Sequence, residues 1–569
     1  MQSEFGPASA HWYSRVESPE RVEGADDLEW DATTDFAVVG YGGAGVSAAL
    51  QAAERGLSVL AVDAFAGGGA TAMNGGIFYA GGGTSVQRQA GVEDTVEEMF
   101  KYLRLETQDV VSAQTLQRYC EGSSADLDWL VSHGVRFDSA YYPKKTFYPP
   151  AGYFLYHSDS ALAAVYAAQA KPAPRGHKYW HAPSNQSVGF GIHLTEPLQA
   201  RAATLGVDFW PRTEARRLIV AASGEVLGLA VIRMLPGLPS TIAYAEAQEK
   251  ARRLLQKLPS SMPGFARLER KAQHYWRQAE ALQREHGVLR RIRALRGVCL
   301  SAGGFIWNRQ MVANYAPKHV ASMAMGSPGG DNGSGIRLGQ SVGGAAQLMD
   351  RMSSWRFINP PSQWPKGILV NSQGRRYVNE ELYGAAVGWA MNEHQSGEGY
   401  IILDQALYRG AWREAVLDNL FPFMRIPLML ALFFQSRKGQ TLEKLARKLN
   451  MPSEALQEAV ARYNRGADGL EPDEFGKSPL ECHALRNGPF YAVDVSQCSK
   501  MFPCPAMSVG GLRVAEDTGQ VLREDGSVIS GLYAAGRTAI GLPSNLYVSG
   551  LSAADCVFSG RRAAWHVSR

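Results

Sequence analysis

Two side chains near the C-terminus have the types and spacing to carry chemistry: Tyr547 and Ser549, in the run Gly541-Leu-Pro-Ser-Asn-Leu-Tyr547-Val-Ser549-Gly550. A phenol donates a hydrogen bond to an oxygen on which charge develops, and a hydroxyl takes a proton when a neighbour relays it onward. The chain has 23 tyrosines, and an arbitrary one is a packing residue with its hydroxyl satisfied. Tyr547 is singled out by its setting, between a glycine-bearing loop and a helix of small residues that closes the chain. What lies opposite it is indicated by the N-terminal region.

There an apolar strand over residues 36–39 runs into Gly40-Tyr41-Gly42-Gly43-Ala44-Gly45 and a small-residue helix. At this spacing Gly40 permits a tight turn, Gly42 lets backbone approach a pyrophosphate, and Gly45 allows close packing of helix on strand. Phosphate then rests on the helix N-terminus, at Gly43 and Ala44. A second strand over 57–62 ends at Asp63, about where a dinucleotide fold puts the carboxylate that bonds a ribose hydroxyl. Strand, glycines, helix, strand and acid in that order raise the motif above a Gly-rich turn.

Further glycine-rich segments follow. Ala66-Gly-Gly-Gly-Ala70-Thr71-Ala-Met-Asn74-Gly75-Gly76 offers bare backbone to a flat aromatic ring, with Thr71 able to hold phosphate or a ring oxygen. Residues 297–305 form a strand ending in Ala302-Gly303-Gly304, suited to pass beneath an adenosine. Residues 326–336 lead into a helix whose N-terminus faces the same cofactor. Helices are expected over 96–105, 112–119 and 125–133. A strand pair within 216–234 is interrupted by helices over 241–258 and 265–295. From Arg233 to Arg296 the chain holds 14 Arg or Lys against 5 Glu, a surplus of nine against a net charge of +4 for the whole protein. This insertion reads either as a solvated surface hairpin or as a basic face drawn to an anionic membrane or a partner protein.

At 569 residues the chain is too long for one core, and 60 glycines supply many close backbone approaches. The expected class is α/β: a doubly wound, Rossmann-like domain with an inserted α+β cap and an extra helical hairpin. The parts are an N-terminal arm (1–30), a first nucleotide-domain segment (31–330, insertion at about 235–296), a catalytic segment (331–495) and a second nucleotide-domain segment (496–569). The cysteines, Cys120, Cys299, Cys482, Cys498, Cys504 and Cys556, form no CxxC pair, so reduced thiols in a cytoplasmic protein are expected and no metal is implied. No run reaches the length of a membrane span, and the charge balance gives no reason to expect nucleic acid. His157, His177 and His181 lack metal spacing and read as a surface or pocket-wall loop. Residues 421–434 are apolar on all sides, as core, as the lining of a greasy entrance, or as a membrane-dipping segment.

These motifs resemble, in order, those of the flavoprotein family that contains fumarate reductase, aspartate oxidase and the 3-ketosteroid dehydrogenases. The shared runs are the fingerprint, Gly-Gly-Ala70-Thr71, Ala302-Gly-Gly, Gly330-Asp-Asn-Gly-Ser-Gly, Gly374-Arg-Arg-Tyr-Val-Asn-Glu380 and Gly531-Leu-Tyr-Ala-Ala-Gly536. The resemblance implies FAD, held noncovalently or through a histidine. Where the dicarboxylate reductases of that family carry arginines, this chain reads Asn379-Glu-Glu-Leu-Tyr383-Gly and Ser544-Asn-Leu-Tyr547-Val-Ser549-Gly. Phenols and a hydroxyl suit a neutral ketone, whereas a diacid needs guanidinium groups. The Tyr-Val-Ser-Gly-Leu run is similar to the branch acting at C4 and C5 of 3-keto-5α-steroids.

That resemblance implies Tyr547, Ser549 and Tyr383 as the catalytic set, with Tyr377 as the fallback for Tyr383. Tyr547 would stabilise the enolate at the C3 oxygen, Ser549 would take the C4 proton, Tyr383 would pass it to solvent, and a hydride would leave C5 for flavin N5. The backbone at Gly550, Leu551 and Ser552 would stabilise the reduced ring, and an external electron acceptor would reoxidise it. The reverse enone reduction uses the same residues, and a flavin-bearing binding protein without turnover is the reading from another class.

Overall fold

The computed structural model describes residues 15–182, 189–260, 262–418 and 420–569. Its centre is the strand Ala32–Val39, whose last four residues are all buried, as a strand covered on both faces must be. It passes through Gly40, at φ +93°, into the helix Gly43–Glu54, whose first ten residues are buried. The final helix, Leu551–Val567, lies against this one. Small residues make the contact: Ala44 and Ala48 face Gly560, where a Cβ would come within 2.4 Å of the Ala44 carbonyl oxygen.

Nine strands form the main sheet, in the order Glu20–Val22, Thr213–Ala221, Val226–Arg233, Val288–Leu300, Ala32–Val39, Val59–Val62, Asp208–Trp210. The long strand Val288–Leu300 serves two neighbours on one side. Its first half pairs antiparallel with Val226–Arg233, and its second half pairs parallel with Val528–Ala534, which carries Gln520–Leu522 at its edge. The expected small antiparallel sheet is therefore an extension of the nucleotide sheet.

The second insertion helix, expected over 265–295, ends at His286. From Val288 the residues alternate, with Ile292 and Ala294 buried between arginines, and Val288 pairs directly with Arg233. Strand pairing there overrides a helical run of Leu and Arg. The hairpin itself, Pro239–Gln256 and Phe265–His286, buries Tyr244, Ala251, Leu255, Phe265 and Ala272 between its helices and the sheet, and leaves Arg267, Arg270, Lys271 and Arg277 outward. Its apolar side chains are consumed by packing.

Three other expectations change. The helices expected over 112–119 and 125–133 are one helix, Ala113–Ser132, continuous through Gly122. The described part of the N-terminal arm is not loose: Val16 is buried, Glu20–Val22 pairs with Thr213–Ala221, and Glu20 meets Arg291 at 3.0 Å; residues 1–14 lie outside the described ones. The helix Ser334–Ser341 packs Ile336 and Leu338 into the core beneath the main sheet, so the chain leaves that body after Met352–Ser354 and not at 331.

The cap is built on a four-stranded antiparallel sheet, ordered Ile368–Val370, Tyr400–Leu403, Phe490–Asp494, Ser436–Gly439. The Arg376 to Glu380 motif is its lock. Glu380 is buried and meets Arg376 at 2.7 Å and Lys477 at 3.2 Å. Burial alone would raise its carboxyl, but the two cations outweigh that and hold it below the usual range. A third sheet, Ile77–Tyr79, Gly176–Lys178, Leu155–Tyr156, Tyr141–Tyr142, joins the two bodies. On it His157 and His177 are buried, not on a surface loop, because each ring is held inside: His177 bonds Thr84 at 3.0 Å, and His157 bonds the Tyr141 hydroxyl at 3.0 Å.

Glu106, near the end of the helix Val96–Thr107, braces the C-terminal loop: its carbonyl accepts from Asn545 Nδ2 at 2.9 Å and from the Leu546 N–H. Burial pushes its carboxyl up to about 7, against the pull of the Tyr102 hydroxyl at 2.6 Å. Between the ordinary value of 4.5 and about 7, the unfolded chain sheds this proton while the folded protein keeps it, so stability falls as pH rises through that window. Glu106→Gln, which cannot ionise, is therefore expected to lose less Tm than the wild type between about pH 5 and about pH 8. Equal slopes in thermal melts would show the carboxyl already ionised in the fold.

Candidate active site

A cavity of about 1020 Å³ runs between the main sheet, the cap and the hairpin. Its wall includes Gly40, Gly42, Gly43, Ala44, Asp63, Ala70, Thr71, Asn74, Gly75, Ala302, Gly303, Gly536, Gly550 and Ser552, together with Tyr383, Tyr547 and Ser549. Sequence reasoning names all of these. Four others it names do not line the cavity. A Cβ on Gly45 would sit 1.9 Å from the Gly40 carbonyl, on Gly76 2.6 Å from Phe190 and on Gly304 2.2 Å from Ser508, so these glycines serve packing, and Leu551 is core.

The fingerprint fits a dinucleotide. A Cβ on Gly42 would meet no protein atom nearer than 3.6 Å, so the space beside it belongs to the cavity. No side chain caps the helix Gly43–Glu54, although the Gly43 N–H donates to Thr71 Oγ1 at 3.1 Å. An uncapped helix N-terminus on a cavity is a phosphate site. The Asp63 carboxylate accepts from the Tyr41 and Phe65 N–H groups, both at 2.8 Å, and its free lone pairs face the cavity. Beside it stands the hairpin. Leu255 to Ser260 and Met262 line the cavity, Gln248 bonds the Ala64 carbonyl at 3.2 Å, and Trp276 packs edge-on to Phe65.

The loop bearing Tyr547 and Ser549 is pinned along its length. Ser544 Oγ donates to the Val509 carbonyl at 2.6 Å, Asn545 accepts from Arg351 at 2.7 Å, and the Ser549 N–H donates to the Ser158 carbonyl at 3.1 Å. Tyr547 leans on Trp355, ring centres 5.3 Å apart. Burial pushes its phenol up to about 12, opposed by the nearby Gly550 and Ser552 N–H groups and by the Arg537 charge. The phenol therefore keeps its own proton to donate.

Ser549 is flanked by two phenols. Its hydroxyl lies close enough to Tyr383 and Tyr156 to favour their ionised forms, but burial outweighs that and raises both pKa values far above the ordinary. Tyr156 donates on to the Phe147 carbonyl at 3.2 Å, and the Tyr383 N–H donates to Ser160 Oγ at 3.0 Å. Tyr383 is buried rather than solvent-facing. The fallback, Tyr377, reaches the Glu398 carbonyl at 3.4 Å and does not line the cavity.

Sequence reasoning missed Tyr156, Asp331, Arg356 and Arg537. Asp331, inside the quoted Gly330-Asp-Asn run, accepts from the Gly304 and Ser327 N–H groups at 2.9 Å and pairs with Arg537 at 2.7 Å. Arg356 is spent on the carbonyls of Phe502, Pro503 and Ser496. Both arginines line the cavity, yet each is committed to protein acceptors. Around the phenols the wall is apolar: Trp355, Phe357, Phe423, and Phe147, which stacks on Phe357 at 4.0 Å. Among the described residues no group of His, Cys, Asp and Glu could hold a metal, and no helix is long and apolar enough to cross a membrane.

The family model of the FAD binding domain matches residues 35–545. A curated relative, the 3-oxo-5-alpha-steroid 4-dehydrogenase of Comamonas testosteroni, is 36% identical over 90% of this chain and 94% of its own. Among solved structures, the 3-ketosteroid-delta4-(5alpha)-dehydrogenase of Rhodococcus jostii RHA1, in complex with 4-androstene-3,17-dione, superposes with a TM-score of 0.79 at 28% identity, over 97% of this chain and 100% of that one. A 3-ketosteroid delta1-dehydrogenase from Sterolibacterium denitrificans shares the fold, with a TM-score of 0.63 at 19% identity, over 94% of this chain and 99% of that one.

Because Arg233 and Val288 are paired, a short turn can replace residues 236–286 without changing the register of the sheet. This variant is expected to fold but to bind FAD about tenfold more weakly, a loss of about 1.4 kcal/mol, measured by reconstituting the apoprotein. An unchanged Kd would mean that the hairpin tip makes no contact with the cofactor.

Proposed function

The chain belongs to the FAD binding domain family, and from that premise we propose that it desaturates a 3-keto-5α-steroid to the 4-ene-3-ketone. The observation that carries the reading is the chemistry of the wall: Tyr547, Ser549 and Tyr383 on one apolar lining with Tyr156 behind them, and, among the described residues there, two guanidinium groups each already tied to protein acceptors. A flat, neutral, apolar ketone matches such a wall. Bound FAD supplies the acceptor for the hydride that leaves C5.

The protein groups supply the rest. Tyr547 donates its hydroxyl hydrogen to the C3 carbonyl, and the nearby Gly550 and Ser552 amides and the Arg537 charge favour that donation as enolate charge develops. Ser549 takes the C4 proton while its own proton passes to Tyr383, which releases its phenolic proton in turn to water in the cavity that it lines, so that each hydroxyl ends neutral. A serine is a poor base alone, so the contacts to Tyr383 and Tyr156 are what make the role chemically reasonable. Collapse of the enolate restores the C3 carbonyl and leaves the C4–C5 double bond. An external oxidant then takes up the two electrons. Trp355, Phe357 and Phe423 exclude water from the ring and hold its plane.

Anaerobic titration of the purified holoenzyme with a 3-keto-5α-steroid should bleach the visible flavin band. Tyr547→Phe is expected to slow bleaching by about 10²–10³-fold, as for loss of one donor to a developing oxyanion, and Ser549→Ala to abolish it nearly completely. A spectral shift without bleaching would favour a binding protein without turnover. Reoxidation of the reduced protein by fumarate, with no response to steroid, would return the chain to the dicarboxylate reductases.

A further inference from the structure

The helix Pro422–Phe434 contains one charged residue, Arg425, among thirteen. Leu428, Ala431 and Leu432 point into the cap core, and Met424 packs with Ile77, Tyr148 and Phe421 at the cavity side. Pro422, Phe423, Met424, Ile426, Pro427 and Leu430 line the cavity. A third side faces out: Ile426 is 57% exposed, Phe433 69% and Phe434 55%. Next to it, the end of the helix Gln405–Leu417 exposes Val416 (56%) and Leu417 (68%). Other exposed apolar residues, such as Leu470 and Leu480, are singletons and need no explanation. All five lie on two contacting antiparallel helices, Val416 and Leu417 at the turn between them and Phe433 and Phe434 at the far end of the second, and Ile426 also belongs to the cavity wall.

The flanks of the cluster are basic. Arg413 and Arg409 lie one and two turns before Val416 and Leu417 on the same helix, and Arg437 and Lys438 follow Phe434 after Gln435 and Ser436; all four are exposed. The nearby acids are Glu414, tied to Ser362 and Gln363, and Asp418, whose carbonyl holds Arg425.

We propose that this face seats the protein on an anionic lipid surface, so that the mouth of the cavity opens toward the bilayer. Large apolar side chains framed by Arg and Lys fit the headgroup boundary, where the former bury and the latter meet anionic phosphates. A second copy of this chain fits less well, because a two-fold contact would bring the same cations together. The outward face of the insertion hairpin offers cations with only Ile242 and the capping Leu238 as large exposed apolar side chains, so it has far less to bury. The role in steroid uptake rests on the proposed substrate, whereas the docking does not.

The test is flotation of the holoenzyme, without steroid, on vesicles of phosphatidylcholine alone and of phosphatidylcholine with phosphatidylglycerol. The wild type should float with the anionic vesicles and much less with the neutral ones. The triple variant Leu417→Ser, Phe433→Ser, Phe434→Ser should float at least about tenfold less, with turnover of dissolved steroid unchanged. Equal flotation of variant and wild type, or none with either lipid, would overturn the proposal. So would loss of flotation on charge reversal at Arg267, Arg270 and Arg277 alone, which would move the contact to the hairpin. A wild-type dimer in light scattering that the triple variant dissolves would make the face a contact between copies.

Discussion

The structure depends on how closely two helices from opposite ends of the chain can approach. Gly560 must lie on Ala44 and Ala48, and Gly536 on Ala44, with no room for a further methyl group at either glycine. This contact turns the fingerprint at residue 40 and the loop at residue 547 into walls of one cavity. Gly550 is its hinge: at φ +91° it starts the last helix, and a Cβ there would fall 2.7 Å from the Tyr79 nitrogen. Gain of a side chain at such a position combines overpacking with backbone strain. The loop that carries Tyr547 and Ser549 is thus held by backbone geometry and by its own Ser544 and Asn545 side chains.

The second constraint is electrostatic. Both arginines at the cavity are engaged, Arg537 on Asp331 and Arg356 on three carbonyls, and Lys257 lies on the hairpin part of the wall. What remains is a set of neutral hydroxyls in an apolar enclosure, with burial holding each phenol protonated. In such surroundings a hydrogen bond to a developing oxyanion is strong, because water does not compete and nothing must reorganise. The same enclosure cannot receive a dianion without a large desolvation cost.

How much of this was legible in the sequence follows from the range of each signal. The fingerprint was, because its glycines answer to geometry within a few residues. So was the meeting of Tyr547, Ser549 and Tyr383 at a cavity, through motif resemblance. The pairing of Arg537 with Asp331 was not, since the partners are far apart in the chain and neither type is distinctive. Tyr156 was hidden because it sits on a two-residue strand with no period to read. The strand beginning at Val288 was mistaken for helix because its fate is decided by Arg233 across the sheet, whereas Leu and Arg are locally good helix formers. Gly76 and Gly304 looked like cofactor contacts because a glycine that admits a ligand and one that admits a neighbouring chain have the same letter, whereas the packing role read for Gly45 from its place in the fingerprint is the one it has.

The apolar run at 421–434 shows how a sequence ambiguity ends once geometry is known. Core, entrance lining and a membrane-dipping segment were alternatives for the whole segment, yet a helix of thirteen residues has enough circumference for a core side, a cavity side and an outward side. Spacing of three and four residues assigns Leu428, Ala431 and Leu432 to the core, while Ile426 and Phe433, seven apart, take the outer side. A helix needed for only one of these roles would carry polar residues on the remaining faces. Its lack of them is therefore the sum of three separate burial demands, and the one left unmet within the protein is the face beside the cavity mouth.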